Sequence, residues 1–166
     1  MRHVLIAAFI ALAACATVPS TLPMPRYADA ASRGAWGALL AGRPTRAQVD
    51  EATSRWSDAL GDSFACHVST RHVIDAGLVG ALDIGAMNAA SSGGGAEEVR
   101  AGVGRYIVQL ATLAAQDRDR PSPERCDALA QWAPRTAEAG RDAVRRARAN
   151  GLMDNDYGLL MDLLVH

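Results

Sequence analysis

Apolar residues recur every three or four positions along most of the chain, which is the spacing of one face of an α-helix. Four long segments carry such a stripe: residues 45–60, 66–88, 97–116 and 122–150. No segment alternates apolar and polar residues over the length of a strand. The pattern therefore predicts an all-α fold, a helical bundle of four long helices with shorter flanking helices at residues 28–41 and 154–165.

Capping signals set some of the predicted helix boundaries. Thr45 and Gln48 have the spacing of a capping box, and Gly61 is a candidate C-cap for the helix over residues 45–60. Ser122 and Pro123 form an N-cap and a first helical position. The stripe of the helix that follows keeps its phase past a proline at position 134, so we expect one long helix kinked there.

Residues 66–88 form the most apolar long segment and predict a central helix. Asp75 and Asp83 interrupt it, and a buried carboxylate needs a partner. Arg100 or Arg105 on the next helix is the expected ion-pair partner.

The N-terminus has the order of a secretory signal peptide. Arg2 precedes an uncharged apolar run over residues 4–14, which is shorter than the ~20 residues that a bilayer span requires. The run ends in Leu-Ala-Ala followed by Cys15, a sequence that resembles the lipobox of bacterial lipoprotein precursors.

This resemblance implies a division of the chain. Residues 1–14 would be a cleaved signal peptide, residues 15–27 a lipidated tether attached at Cys15, and residues 28–166 a single helical domain. The alternative is an ordinary cleaved signal with an unmodified cysteine. Position 16 is Ala and not the Asp that retains lipoproteins in the inner membrane, so the resemblance implies an outer-membrane anchor with a domain that faces the periplasm.

Lipidation of Cys15 would leave two cysteines in an exported protein, which predicts a disulfide between Cys66 and Cys126. Two separate buried thiols are the alternative. The two cysteines stand at the predicted starts of the second and fourth long helices, which share one end of an up-down-up-down bundle. In a plain square these helices lie on a diagonal, so a disulfide requires converging helix ends or another arrangement.

Charge excludes a polyanion binder but leaves one basic cluster. The chain has 17 basic residues, all of them Arg, against 18 acidic ones, a formal charge of −1. A solvated face is the simplest interpretation of Arg141, Arg145, Arg146 and the neighbouring Arg148, and binding to an acidic partner is the alternative. The last helix, with Tyr157 and Leu160, either covers the core or occupies a groove that a partner helix would use. These two residues and the first three arginines are the candidate partner-binding residues.

His67, Ser69, His72 and Asp75 are the only dense set of catalytic residue types. The chain lacks a Gly-x-Ser-x-Gly elbow, so a polar first turn of a buried helix is the favoured interpretation. Metal-binding patterns such as His-Glu-x-x-His are also missing from the sequence. We therefore predict no catalytic residues, no metal site and no cofactor.

The sequence is thus interpreted as a non-enzymatic outer-membrane lipoprotein with an envelope protein as partner and no nucleic acid. An adaptor or assembly factor is the main hypothesis. In architecture and location alone it is similar to the small helical pilotin lipoproteins. The alternatives are an inhibitor or immunity lipoprotein and a periplasmic hydrolase that uses His72.

Overall fold

The computed structural model describes residues 22–158, and within this range the regular elements are all helices. The all-α prediction is confirmed, as are four long helices. Two short helices precede them. In chain order the elements are α1 (Ala28–Ser32), α2 (Trp36–Ala41), α3 (Arg46–Ala65), α4 (Thr70–Ser92), α5 (Ala96–Ala115) and α6 (Pro123–Ala149).

Helix α4 is the centre of the fold and packs against each of the other five helices. Helix α3 also contacts both α5 and α6, so the pair α3–α4 forms the short diagonal of the bundle. The arrangement is therefore not a plain square. The short helices cover α4 on the outside: α1 packs on α4 and α6, and α2 packs on α4 and α1.

The apolar character of α4 follows from its central position. Thr70–Ser92 is long and apolar enough to cross a membrane by length and composition, but 89% of the relevant window is buried inside the fold. A core helix passes the same test, so this finding is weak evidence for a membrane span. Val73, Val79 and Leu82 are among its fully buried residues.

Two glycines allow α4 and α5 to approach each other at backbone distance. A Cβ placed on Gly102 of α5 would lie 2.8 Å from the Cα of Gly85 on α4. A Cβ placed on Gly85 would lie 2.8 Å from the carbonyl oxygen of Val99. No side chain fits at either position without separating the helices, which explains glycine in helix interiors where it lowers helix propensity.

The N-terminal helix predicted over residues 28–41 is two helices. Gly34 adopts a left-handed φ of +66° between them. Its N–H donates to the carbonyl of Ala31, and the N–H of Ala35 donates to the carbonyl of Ala30, which together form a Schellman ending. This ending stops α1 before the apolar pattern stops.

Helix α3 starts where it was predicted to start and ends later. The capping box is confirmed: the Gln48 N–H donates to Thr45 Oγ1 at 3.3 Å, and the Thr45 N–H donates to Gln48 Oε1 at 2.8 Å. The C-cap prediction at Gly61 is wrong, because this residue lies buried inside the helix. A Cβ there would meet the Arg118 guanidinium at 2.5 Å, and Arg118 lies across this position to pair with Asp62 at 3.6 Å.

The end of α3 is a Schellman motif with a histidine at its left-handed position. His67 has φ +57°, its N–H donates to the Phe64 carbonyl, and the Val68 N–H donates to the Ser63 carbonyl. Cys66 is therefore the C-cap of α3 and not the first residue of α4, which begins at Thr70.

The predicted disulfide between Cys66 and Cys126 is present, with Cα atoms 5.4 Å apart. It joins the end of α3 to the first turn of α6. These two helices are in contact, so the expected conflict with a diagonal pair does not arise. The prediction that Cys66 starts the second long helix was the source of that conflict.

The boundaries of α5 and α6 agree with the sequence pattern. Helix α5 ends with Gln116 as its C-cap, and Ser122 caps α6 by accepting the Arg125 N–H at 3.3 Å. Helix α6 passes through Pro134 as a single helix and ends at Asn150. The last predicted helix lies mostly outside the described residues.

Candidate functional site

A groove between α4 and α6 encloses a volume of about 790 Å³. This volume lies within the range of known ligand pockets. Leu78, Val79 and Val144 give it an apolar floor. Three arginines of α6 line the same groove: Arg141, Arg145 and Arg148.

The helical repeat explains why these arginines act together. They stand at positions i, i+4 and i+7, which lie on one face of a helix. The same face of α6 carries Val144 and Ala137, which also line the groove. The result is a concave apolar surface with a row of cationic groups along one wall.

Two of the three guanidinium groups form only exposed ion pairs. Arg141 pairs with Glu138, and Arg145 pairs with Asp142 at 3.0 Å, each within one turn of α6. The four side chains are more than half exposed, and pairs of this kind contribute about 0–1 kcal/mol. An incoming carboxylate can therefore replace these acids at small cost.

Arg148 differs from its neighbours because part of its side chain is buried. Its Nε is shielded from solvent and has no hydrogen-bond partner among the described residues. A buried donor without an acceptor destabilises the fold by about 1–3 kcal/mol. An acceptor on an occupant of the groove would remove this penalty.

Asp75 is the single acidic residue that lines the groove in the described part of the chain. It lies on the α4 wall and its side chain is exposed. The groove thus has a strongly cationic α6 wall and a weakly anionic α4 wall. This polarity would orient an amphipathic occupant with its acidic residues toward α6.

The structure separates the residues that the sequence grouped as a partner surface. Arg141 and Arg145 line the groove, but Arg146 turns to α1, where it pairs with Asp29 at 2.6 Å and donates to Ser32 Oγ at 3.3 Å. Tyr157 packs against the core, and Leu160 lies outside the described residues. The sequence spacing could have predicted this separation, because Arg146 falls on a different face of the helix from Arg141, Arg145 and Arg148.

A second cavity, of about 350 Å³, is partly lined by Asp83 and the chain around Arg26. Asp83 is 2% exposed, and its Oδ1 accepts three backbone N–H groups at the start of α1. The distances are 2.7 Å from Arg26, 2.6 Å from Tyr27 and 3.0 Å from Ala28. These three hydrogen bonds hold residues 26–28 against the middle of α4.

This finding corrects the expected partner of Asp83. Among the described residues, neither Arg100 nor Arg105 pairs with it: the Arg100 Nε donates to the carbonyl of Gly151 at 2.6 Å, and Arg105 is exposed. Burial raises the pKa of Asp83, and the three backbone hydrogen bonds oppose that rise. Asp75, the other acid of α4, is exposed and needs no buried partner.

The dense set of catalytic residue types lies on the surface at the junction of α3 and α4. His67, Ser69, His72 and Asp75 are all exposed. No hydrogen bond joins their side chains to one another in the described part of the chain. The described residues therefore show no hydrogen-bonded pair of nucleophile and base at this surface.

Within residues 22–158, no group of three or more His, Cys, Asp or Glu side chains is placed to hold a metal ion. Comparison of the chain with protein-family models, with curated proteins and with solved structures finds no match.

Proposed function

We propose that this chain is a lipid-anchored envelope protein that binds a partner protein in the groove between α4 and α6. Its role is that of an adaptor or assembly factor at the periplasmic face of the outer membrane, and the proposal includes no enzymatic step. The occupant is an amphipathic helix of the partner, with apolar residues on one face and acidic residues beside them.

The observation that supports this proposal is the combination of an apolar floor with three arginines along one wall. Helix recognition in a groove depends on apolar anchors spaced along one helical face. Arginine is enriched in protein interfaces, and it binds carboxylates through paired N–H donors. Arg148, whose Nε lacks an acceptor among residues 22–158, provides a donor at one end of the groove.

The proposed anchor agrees with how the fold begins. Leu22 packs on the core, and the Pro23 carbonyl accepts the Trp132 Nε1–H at 2.8 Å. Only six residues lie between Cys15 and Leu22, and the seven residue-to-residue steps span at most about 25 Å. A lipid on Cys15 would therefore keep the domain within reach of partners in or beside the membrane.

Site-specific photocrosslinking in the native host tests the partner site. A benzoylphenylalanine at Ala137, which lines the groove, should form an adduct with a partner protein, and one at Val108, an exposed position on α5, should not. Replacing both Arg141 and Arg145 with Glu should reduce the adduct at least tenfold. The matched reversal Arg105→Glu, at an exposed position on α5, should leave it unchanged.

The identified partner is then purified, and its affinity for the same variants is measured. An adduct and an affinity that are insensitive to the two groove reversals would refute this site. The anchor is tested separately with an alkyne analogue of palmitate, which should label the native protein and not a Cys15→Ser variant. A His72→Ala variant that binds its partner normally but loses its cellular role would instead favour the hydrolase alternative.

A further inference from the structure

We propose that the side of the domain where the described chain begins is a membrane-contact face that binds the headgroups of anionic phospholipids. The face consists of Met24 and Arg26, which precede α1, and of Leu40 and Arg43, which stand at and just after the end of α2. These four residues are called the N-terminal face below. They supply exposed apolar side chains and positive charge, the two components with which a protein surface binds a bilayer interface.

Two contacts bring the two parts of the N-terminal face together. The Tyr27 hydroxyl donates to the Gly42 carbonyl at 3.0 Å, which joins the segment before α1 to the turn after α2. Met24, Arg26 and Pro44 also line one cavity of about 350 Å³. The other members of the face stand within two residues of Gly42 in the chain. The four side chains therefore belong to one continuous surface.

The residues on either side of Met24 hold it in solvent. The Pro23 carbonyl accepts the Trp132 Nε1–H at 2.8 Å, and the Arg26 N–H donates to Asp83 Oδ1 at 2.7 Å. Between these two attachments, Met24 is 64% exposed. The fold thus fixes an apolar side chain at the surface, so its contact with a bilayer requires little further ordering of the backbone.

Exposed large apolar residues are concentrated on this face. Three are found in the described part of the chain: Met24, Leu40 at 39% exposure and Val108 at 67%. Two of the three belong to the N-terminal face, whereas Val108 stands alone on α5. A single exposed apolar residue is ordinary in a folded protein, so Val108 is the matched control for Met24.

The N-terminal face also carries the unpaired positive charge of its region. Residues 22–55 contain five arginines and three acids, a net charge of +2, whereas the whole chain has −1. Each of the three acids pairs with an arginine outside the face. Arg26 and Arg43 are exposed and form no ion pair within residues 22–158. Their charge is therefore available to an external anion.

The position of the chain end selects a lipid surface as the occupant. Leu22, from which the chain leads back to Cys15, lines the same cavity as Met24. This argument rests on the proposed lipid anchor, since an acyl group on Cys15 would hold Leu22 within about 25 Å of the membrane. The negative surface potential of anionic lipids then attracts exposed arginines and decays over a Debye length of about 8 Å.

Contact with the membrane through this face leaves the groove open. Arg146 of α6 pairs with Asp29, which follows the N-terminal face in the chain. Arg141, Arg145 and Arg148 line the groove on another side of α6. The domain can therefore lie on the bilayer and still bind a partner in the groove.

Photocrosslinking to lipid tests the contact with the native protein, purified from its host and reconstituted in vesicles. A benzoylphenylalanine in place of Met24 should form adducts with phospholipid in vesicles of phosphatidylcholine and phosphatidylglycerol. The yield should fall at least fivefold in vesicles of phosphatidylcholine alone. The same probe at Val108 should form no lipid adduct in either membrane, and mass spectrometry measures all four yields.

Charge reversal tests the role of the arginines. Replacing Arg26 and Arg43 with Glu should reduce the lipid adduct at position 24 at least tenfold, because each arginine beside an anionic surface strengthens binding by about fivefold. Arg105→Glu, at an exposed position on α5, should leave the yield unchanged. Both changes affect exposed side chains, so circular dichroism should show native helix content. Salt at 1 M, where the Debye length is about 3 Å, should have the same effect as the reversal.

Equal yields with and without phosphatidylglycerol, or equal yields at positions 24 and 108, would overturn the inference. A protein adduct at position 24 in whole envelopes, without a lipid adduct in vesicles, would also overturn it and assign the face to a protein. Lipid adducts from a chain that takes up no palmitate analogue would refute the anchor and leave the face standing. A labelled chain without lipid adducts at position 24 would refute the face alone.

Discussion

Replacing Asp83 with alanine removes the acceptor that fastens the first folded residues to α4. The carboxylate is 2% exposed and accepts the N–H groups of Arg26, Tyr27 and Ala28 through one oxygen. No other residue among those described accepts these three N–H groups. The loss in the free energy of unfolding therefore depends on whether these N–H groups find water or another acceptor after the substitution.

The magnitude follows from the burial of each bond. The Ala28 N–H lies in a buried bond, and leaving it without an acceptor costs about 1–3 kcal/mol. The Arg26 and Tyr27 bonds are partly buried, so those N–H groups regain water and each loses about 1 kcal/mol. Removing a buried carboxylate recovers part of its desolvation cost, and we expect a net loss of about 3 kcal/mol in the free energy of unfolding.

Urea denaturation followed by tryptophan fluorescence measures this loss. Trp132 donates to the Pro23 carbonyl, and its ring centroid lies 5.7 Å from that of Trp56, so the emission reports on the fastened segment. Trypsin should also cleave faster after the exposed Arg26 in the variant. Asp75→Ala is the matched control on the same helix, where an exposed acid should change stability by less than about 0.5 kcal/mol.

A loss below about 1 kcal/mol for Asp83→Ala, or one equal to that of Asp75→Ala, would refute this reasoning. Such a result would mean that the segment is held by its apolar contacts and not by the carboxylate. Unchanged trypsin cleavage after Arg26 would lead to the same conclusion.

Three further outcomes follow from the structure. Replacing both Cys66 and Cys126 with Ala opens a loop of 60 residues and should lower the unfolding free energy by roughly 4 kcal/mol, measured by denaturation; an unchanged midpoint would contradict a stabilising disulfide. Gly85→Ala puts a Cβ 2.8 Å from a backbone oxygen and should destabilise the fold by more than about 2 kcal/mol. In the control variant Gly37→Ala, the new Cβ meets nothing within 4 Å, so this substitution should be neutral or stabilising. Equal thermal midpoints for the two variants would count against the close contact of α4 and α5. Burial raises the pKa of Asp83 above its ordinary value, so the folded state binds the proton of this carboxyl more tightly than the unfolded state. The free energy of unfolding of the native protein, relative to that of Asp83→Asn, should therefore fall as pH rises from about 4 through the folded-state pKa. If this relative free energy rose over the same window, the hydrogen bonds to Asp83 would outweigh its burial.

The errors in the predicted boundaries share one physical cause. The sequence pattern assigned the end of α3 to Gly61, since glycine is the residue that most readily ends a helix. In the structure, the absence of a side chain at Gly61 leaves room for Arg118. The helix ends instead where His67 adopts a left-handed φ, and a histidine is not a typical helix-ending residue in a sequence. A glycine can thus mark either a helix end or a close contact, and only the neighbouring elements distinguish them.

The disulfide shows how a local error affected a global expectation. The pairing of Cys66 with Cys126 followed from the cysteine count and is confirmed. The helix to which Cys66 belongs was assigned wrongly, and this created an apparent diagonal crosslink. In the structure Cys66 lies at the end of α3, and α3 and α6 are in contact, so the disulfide does not span a diagonal of the bundle.

The sequence by itself determined the helical class, the four long helices, the capping box of α3 and the pairing of the cysteines. These properties depend on residues close together in the chain or on composition, where periodicity and capping act locally. Tertiary structure alone decided the partners of Asp83, the separation of Arg146 from the other arginines, and the groove itself. Each of these depends on which helices lie side by side. The sequence of α4 does not indicate that backbone donors at the start of α1 will meet Asp83, and the sequence of α6 does not indicate that apolar residues of α4 will lie beside its arginines.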